Sequence, residues 1–143
     1  MAVEFEVHTN FRECKEALEQ ALFKSLEQIG GKVEGYAKLL TPVETGSLRQ
    51  SIRHEITDNN RTVEVKAGGG FFVKRNVNYA VYVELGTGIH ASDGTGRKTP
   101  WVYKDDKGVW HLTRGSRPQP YLKPAFMDHL QEIKDILTNN LTR

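Results

Sequence analysis

"SIRHEITDNNRTVEVKA", residues 51–67, is the stretch on which the fold turns. Ile52 and Ile56 alternate with Arg53 and Glu55. Val63, Val65 and Ala67 alternate with Thr62, Glu64 and Lys66. A period of two marks strands with one buried face. Asp58-Asn59-Asn60 between them carries turn chemistry, because short polar side chains bond nearby backbone and tolerate left-handed geometry. The reading is a β-hairpin, and its apolar face needs a second layer to cover it. His54 and Glu55 then point to opposite faces and cannot form a local acid–base pair.

Upstream, the cover is a long helix. Asn10 is placed to cap it, with Glu13 three residues on. Phe11, Cys14, Leu18, Leu22, Ser25, Ile29, Val33, Tyr36 and Leu40 recur at three and four residues and line one face. Cys14 on this stripe reads as a small buried hydrophobe. About thirty residues make a rod of ~45 Å. Gly30, Gly31 and Gly35 weaken its second half, so a bend is expected there. A rod longer than the domain's own core has spare apolar face to offer another subunit. Before it, "VEFEVHT" (3–9) alternates as a short edge strand.

Downstream, Thr41-Pro42-Val43-Glu44 has the form of a capping box with proline at the first helical position, which predicts a short helix. Val77, Tyr79, Val81, Val83 and Leu85 alternate as a third strand, although a helix also fits Tyr79, Tyr82 and Val83. Trp101 and Tyr103, the turn Asp105-Asp106-Lys107-Gly108, and Val109 to Leu112 form a second hairpin. "RPQPYLKPAF" (117–126) is extended by its prolines. A last helix from about Pro124 carries Ala125, Phe126, Leu130, Ile133, Ile136, Leu137 and Leu141 on one face. The expected fold is α+β: one domain over 1–143, an antiparallel sheet of about four strands packed by the N- and C-terminal helices, and a long arm at 86–117.

The composition, 38% hydrophobic and 27% charged over 143 residues, suits one globular domain. A single cysteine excludes an internal disulfide framework and fits a reducing compartment. No basic-then-apolar N-terminal segment suggests a signal peptide, and no apolar run reaches the ~20 residues of a membrane span. The net charge of +2 is unevenly placed: residues 1–41 hold 5 Lys/Arg against 7 Asp/Glu, whereas residues 86–120 hold 6 against 3. The glycine-rich arm is therefore the basic region.

Four glycines between Gly86 and Gly96 pose the question of a phosphate cradle. A phosphate-binding P-loop needs a lysine directly after its last glycine; here Gly96 is followed by Arg97, with Lys98 one place late and Ala91 where the first glycine belongs. Gly86-Thr87-Gly88 lacks the third glycine and the following helix of a dinucleotide site. His90, Asp93 and His111 lack any ligand spacing that specifies a metal. Gly115-Ser116-Arg117 is no nucleophile elbow. No catalytic residue, metal ligand or cofactor is expected. What remains is Arg97, Lys98, Arg114 and Arg117 interleaved with Trp101, Tyr103 and Trp110. Such a mixture suits a protein interface, and it also suits phosphate and base contact, so DNA binding is the alternative.

Three motifs, "TPVETGSLRQSI" (41–52), "NYAVYVELGTG" (78–88) and "RPQPYLKPAF" (117–126), together resemble the neck and minor tail components of lambdoid long-tailed bacteriophages and prophages. The family pattern P-V-[DE]-T-G-x-L-R-x-S is met by Pro42, Val43, Glu44, Thr45, Gly46, Leu48, Arg49 and Ser51. The pattern Y-A-x-Y-V-E-x-G-T is met by Tyr79, Ala80, Tyr82, Val83, Glu84, Gly86 and Thr87. The pattern P-Q-P-[FY]-[LM]-x-P-A is met by Pro118, Gln119, Pro120, Tyr121, Leu122, Pro124 and Ala125. The likeness spans residues 10–140, and the segment 96–115 resembles the form seen in phages of Gram-positive hosts.

The resemblance implies a non-enzymatic virion protein, made in the host cytoplasm, that completes the tail or joins head to tail. It implies a ring of six copies, with neighbouring neck, connector or tail-tube proteins as partners, contact with DNA in the channel, and no membrane. On this reading Trp101, Tyr103, Trp110, Arg97, Lys98, Arg114, Arg117, Pro118, Pro120 and Tyr121 form the contact surface, and Pro118 and Pro120 stiffen a strap that lowers the ordering cost of a contact.

Overall fold

The computed structural model describes residues 2–4, 10–42, 46–68 and 79–142. Helix α1 spans Phe11–Leu40 and α2 spans Ser47–Ser51. Strands β1 (Arg53–Thr57) and β2 (Thr62–Lys66) follow, then α3 (Tyr79–Leu85) and a single 3-10 turn at Gly88–His90. Strands β3 (Trp101–Lys104) and β4 (Trp110–Thr113) precede α4 (Leu122–Met127) and α5 (Leu130–Leu141). The class is α+β as expected. The sheet is not: among the described residues β1 pairs with β2 and β3 with β4, giving two separate antiparallel pairs in place of four joined strands.

Helix α1 begins as its sequence dictates. The Asn10 side chain accepts the Glu13 backbone N–H at 3.3 Å, filling one orphan donor of the first turn. The expected bend does not form a break, since α1 stays helical through Gly30, Gly31 and Gly35. Gly30 serves close packing. A methyl there would sit 2.6 Å from the His54 ring and 2.8 Å from Val63, so only glycine lets the β1–β2 hairpin lie against the helix. The helix ends at Thr41, whose hydroxyl and N–H both donate to the Ala37 carbonyl, at 2.6 and 3.0 Å.

The expected hairpin forms, with a register that runs from Arg53 opposite Lys66 to Thr57 opposite Thr62. Asp58, Asn59 and Asn60 all take positive φ, at 54°, 51° and 65°. Ahead of it, α2 starts at Ser47, with Gly46 at its cap, and not at Pro42. Its Ser51 hydroxyl donates to Leu48 O at 2.6 Å and accepts Gly68 N–H at 2.8 Å, tying the hairpin's end to the helix. Val43, Glu44 and Thr45 lie outside the described residues, as do residues 5–9 and hence most of the expected first strand; Val3 and Glu4 are in no regular element.

The predicted third strand over 77–85 is helix α3 from Tyr79 onward, the second of the two readings its sequence allowed. Short apolar runs satisfy both periods, and tertiary fit decides between them. As a helix, the segment buries Ala80 and half-buries Val83 and Glu84, while Val81 and Tyr82 stay about half exposed. With helix at 79–85, none of the described residues joins the two hairpins into one sheet.

The core gathers Ile29, Val33 and Ala37 of α1, Leu48 and Ile52, Ala80 of α3, and Tyr121 and Ala125. The C-terminal helix is two pieces, starting earlier than Pro124 and interrupted at Asp128–His129. Helix α5 lies antiparallel on α1. At one end Tyr36 Oη donates to Glu132 Oε2 at 2.5 Å, Lys32 pairs with Glu132 at 3.1 Å, and the His129 ring stacks on Tyr36 at 3.6 Å. At the other end Asn140 Nδ2 donates to Gln28 Oε1 at 2.8 Å. Everything on α1 before residue 21 is exposed, Cys14 included, so the buried role read for that cysteine does not hold in this chain.

Candidate interaction surface

The second and third motifs meet in space. The Glu84 carboxylate, at the end of α3, accepts the backbone N–H groups of Tyr121 (2.7 Å), Leu122 (3.0 Å) and Lys123 (3.0 Å). One anion thereby fills three orphan donors at the start of α4, where the aligned peptide dipoles favour negative charge. Tyr121, counted above among contact residues, is completely buried, and its hydroxyl donates to Ala80 O at 3.2 Å. It anchors the chain's own core. Gln119 N–H adds a bond to Val83 O at 2.8 Å. The strap 117–121 is thus stitched along α3, with Pro120 exposed and Pro118 half-buried.

These bonds continue into the stem of the arm. Thr87 N–H donates to Ser116 O at 2.9 Å, Ser116 N–H to the Thr87 hydroxyl at 2.8 Å, and Ile89 N–H to Arg114 O at 3.1 Å. The two backbones approach so closely that a methyl on Gly88, whose φ is +61°, would run into the Arg114 carbonyl. The arm therefore leaves the body on a fixed double-stranded stem. A cleft of about 320 Å³ at its base is lined by Tyr82, Leu85, Asp93 and Arg97 among others. Its wall carries both signs of charge, unlike a phosphate cradle.

At the tip, Asp105 organises the β3–β4 turn. Its carboxylate accepts the N–H groups of Lys107 and Val109 at 2.9 and 2.8 Å and lies 2.8 Å from His111 Nε2. The His111 bond, then the two amides, hold the Asp105 carboxyl below its ordinary range. His111 is thus a hydrogen-bond partner of Asp105, and among the described residues no three His, Cys, Asp or Glu side chains gather as metal ligands.

The register from Trp101 opposite Thr113 to Lys104 opposite Trp110 divides the arm into two faces. Trp101, Tyr103, His111 and Thr113 share one, where Tyr103 stacks on His111 at 5.2 Å and Arg97 lies 5.8 Å over Trp101. Val102, Lys104, Trp110 and Leu112 share the other, with Lys104 5.7 Å over the Trp110 ring. The pattern splits the aromatic set, placing Trp110 opposite Trp101 and Tyr103. Lys98, Arg114 and Arg117 are exposed. Val102, Trp110 and Leu112 are 60%, 66% and 75% exposed.

Residues 5–86 match the family model described as "Bacteriophage HK97-gp10, putative tail-component". The chain belongs to this bacteriophage tail-component family. The matched region ends at Gly86, where the stem begins, so it holds α1 to α3, the first motif and all but the last two residues of the second. No curated protein and no solved structure matches the chain. Family membership makes it a structural component of a phage tail, and the motif residues can be read in that light. Leu48 and Ala80 are core, Pro42 and Arg49 are half-buried, and Glu84 is a helix cap; among the described pattern residues of the first two motifs, Tyr82 is openly exposed.

Sequence reasoning missed one cluster. His54, on β1, lies with Nδ1 2.5 Å and backbone N 3.0 Å from Glu34 Oε2, and with Nε2 3.2 Å from Glu27. Lys38 bonds the other Glu34 oxygen. The bond from Glu34 raises the His54 pKa against the opposing effect of burial. Burial pushes Glu34 up, but the bonds from Lys38 and His54 outweigh it and hold the carboxyl low. A histidine on the apolar face of a strand, facing a helix with glutamates seven residues apart, was the available signal.

Proposed function

We propose that this tail component acts at the head–tail junction as a ring-forming homo-oligomer, completing the tail or joining it to the head through contacts made by the 86–117 arm. The observation that carries this reading is the arm itself. Its stem is locked by backbone bonds to the body, yet the β3–β4 pair beyond it packs chiefly on itself, with large apolar side chains open to solvent on both faces. An isolated two-stranded hairpin is marginal in water, so a fixed and uncovered one fits a contact completed by a neighbour. Burying one such side chain stabilises by about 2 kcal/mol, and several together supply a useful fraction of an interface.

The test is the mass of the purified protein by light scattering across a concentration series. The native chain is expected to assemble, and Trp101→Ala with Trp110→Ala to stay folded and monomeric. Unchanged oligomer mass in the double variant counts against the reading. Contact with channel DNA is the second reading, supported by the exposed Arg97, Lys98, Arg114 and Arg117. It requires DNA affinity that falls steeply with salt, with the slope reduced by about one for each of these cations removed.

A further inference from the structure

Two uncovered surfaces on this chain are complementary. The first is the N-terminal part of α1. Helix α5 covers α1 from Tyr36 back to Gln28 and stops, leaving residues 11–20 wholly exposed, about 15 Å of rod. Phe11 and Leu18, seven residues apart on one face, are 80% and 58% exposed. A free helical stretch this short is marginal in water and gains its stability from packing. The second surface is the arm face of Val102, Trp110 and Leu112. Four-residue strands span about 13 Å, close to the length of the bare rod.

Charge decides which surface faces which. Residues 86–117 carry Arg97, Lys98, Lys104, Lys107, Arg114 and Arg117 against three aspartates, a balance of +3. Residues 11–27 carry Arg12, Lys15 and Lys24 against Glu13, Glu16, Glu19 and Glu27, a balance of −1. On the rod, Arg12 and Lys15 are already paired with Glu16 and Glu19 one turn on. Arm against arm opposes like charge, whereas arm against rod pairs opposite charge and brings together apolar surfaces of similar length.

Building on the self-association proposed above, we infer that the β3–β4 arm of one copy seats on the exposed N-terminal turns of α1 of the next copy. Each chain gives the arm at one place and receives at another. That is a heterologous, head-to-tail contact, the kind that closes into a ring.

Cys14, the sole cysteine of the chain, is exposed on the bare rod and provides the test. Leu112→Cys or Val102→Cys places a second thiol on the arm at an exposed position. On mild oxidation of the assembled protein, these variants are expected to give a ladder of dimers, trimers and higher forms on a non-reducing gel. The native chain, Leu112→Cys with Cys14→Ser, and Asp135→Cys on the far helix are expected to give none. No ladder from either arm variant, in samples that light scattering shows to be oligomeric, overturns the pairing and leaves self-assembly standing. Cys14-linked dimers of the native chain indicate rod against rod and overturn it too, as does an equal ladder from Asp135→Cys. A chain monomeric at every concentration removes both the pairing and the ring.

Discussion

Glu84 Oε2 lies 2.7 Å from the backbone nitrogen of Tyr121, 37 residues further along the chain. The same carboxylate also holds Leu122 and Lys123, so a single side chain joins α3 to α4 across the whole length of the arm. The family-matched region ends two residues after Glu84, and this cap is one of the points at which the later segments are fastened to it.

Glu84→Ala strips three amides of a charged acceptor in a half-buried place. Bonds to charged groups contribute about 1.5–3 kcal/mol. A loss of roughly that size is expected in urea unfolding, with amide exchange fastest to rise at residues 119–123. Glu84→Gln keeps one acceptor oxygen and should recover part of it. Protection unchanged in this segment would remove the cap from the account of the fold.

Tyr121→Phe isolates the other half of the same junction. The ring is completely buried and only its hydroxyl reaches Ala80 O, so the apolar packing survives the change. The expected cost is about 1 kcal/mol, the net value of a neutral buried bond. Tyr121→Ala opens a cavity in the core and should cost about 3–5 kcal/mol, enough to threaten folding. A small effect of the alanine variant would mean that Tyr121 is not core.

How much of this was legible in the sequence varies with the range of the interactions involved. The β1–β2 hairpin, its turn and the start of α1 follow from local alternation and capping, and each stands where the residues put it. Residues 79–85 were read first as a strand, because Val81, Val83 and Leu85 alternate. The helix wins through bonds made by residues more than thirty positions away, Gln119 and Tyr121, which no local period reports. The four-strand sheet failed with it. At the candidate surface, Trp101, Tyr103 and Trp110 were correctly expected on a hairpin, but treating them as one set ignored the pleat, which puts Trp110 on the far face. Tyr121 sat in a motif that reads as an interface strap; only its partner Ala80 reveals it as core.

Gly88 and Gly94 both take positive φ, at 61° and 73°, and differ in their surroundings. At Gly94 an added methyl meets open space; at Gly88 it meets the Arg114 carbonyl. Gly94→Ala should cost only the backbone strain, about 1 kcal/mol. Gly88→Ala must also part the stem, so arm amides such as Ile89 should lose exchange protection and assembly should weaken while the α1–α5 pair stays folded. Equal behaviour of the two variants would show that the stem is not fixed by this contact.

His54 and Glu34 make the docking of the β1–β2 hairpin on α1 depend on pH in both directions. The folded His54 pKa lies above 6.5, so its contribution is complete below that value and is lost as pH rises through the raised pKa. The folded Glu34 pKa lies below 4.5, so its contribution is complete above that value and is lost as pH falls through the lowered pKa. The pair is therefore worth most between pH 4.5 and 6.5. Glu132, Asp93 and Asp105, also held low, add to the acid limb, whereas Lys32, Lys66 and Tyr36 are raised from values of 10 and above. The decline just above pH 6.5 belongs to His54. Melting temperature measured from pH 4 to pH 9 should fall over that interval in the native chain and stay level in His54→Gln, which keeps a polar side chain without the titration. Glu34→Gln should flatten both limbs, since it removes the shared partner. A native chain whose melting temperature holds constant from pH 6 to pH 9 would show that His54 gains no charge from Glu34 and Glu27.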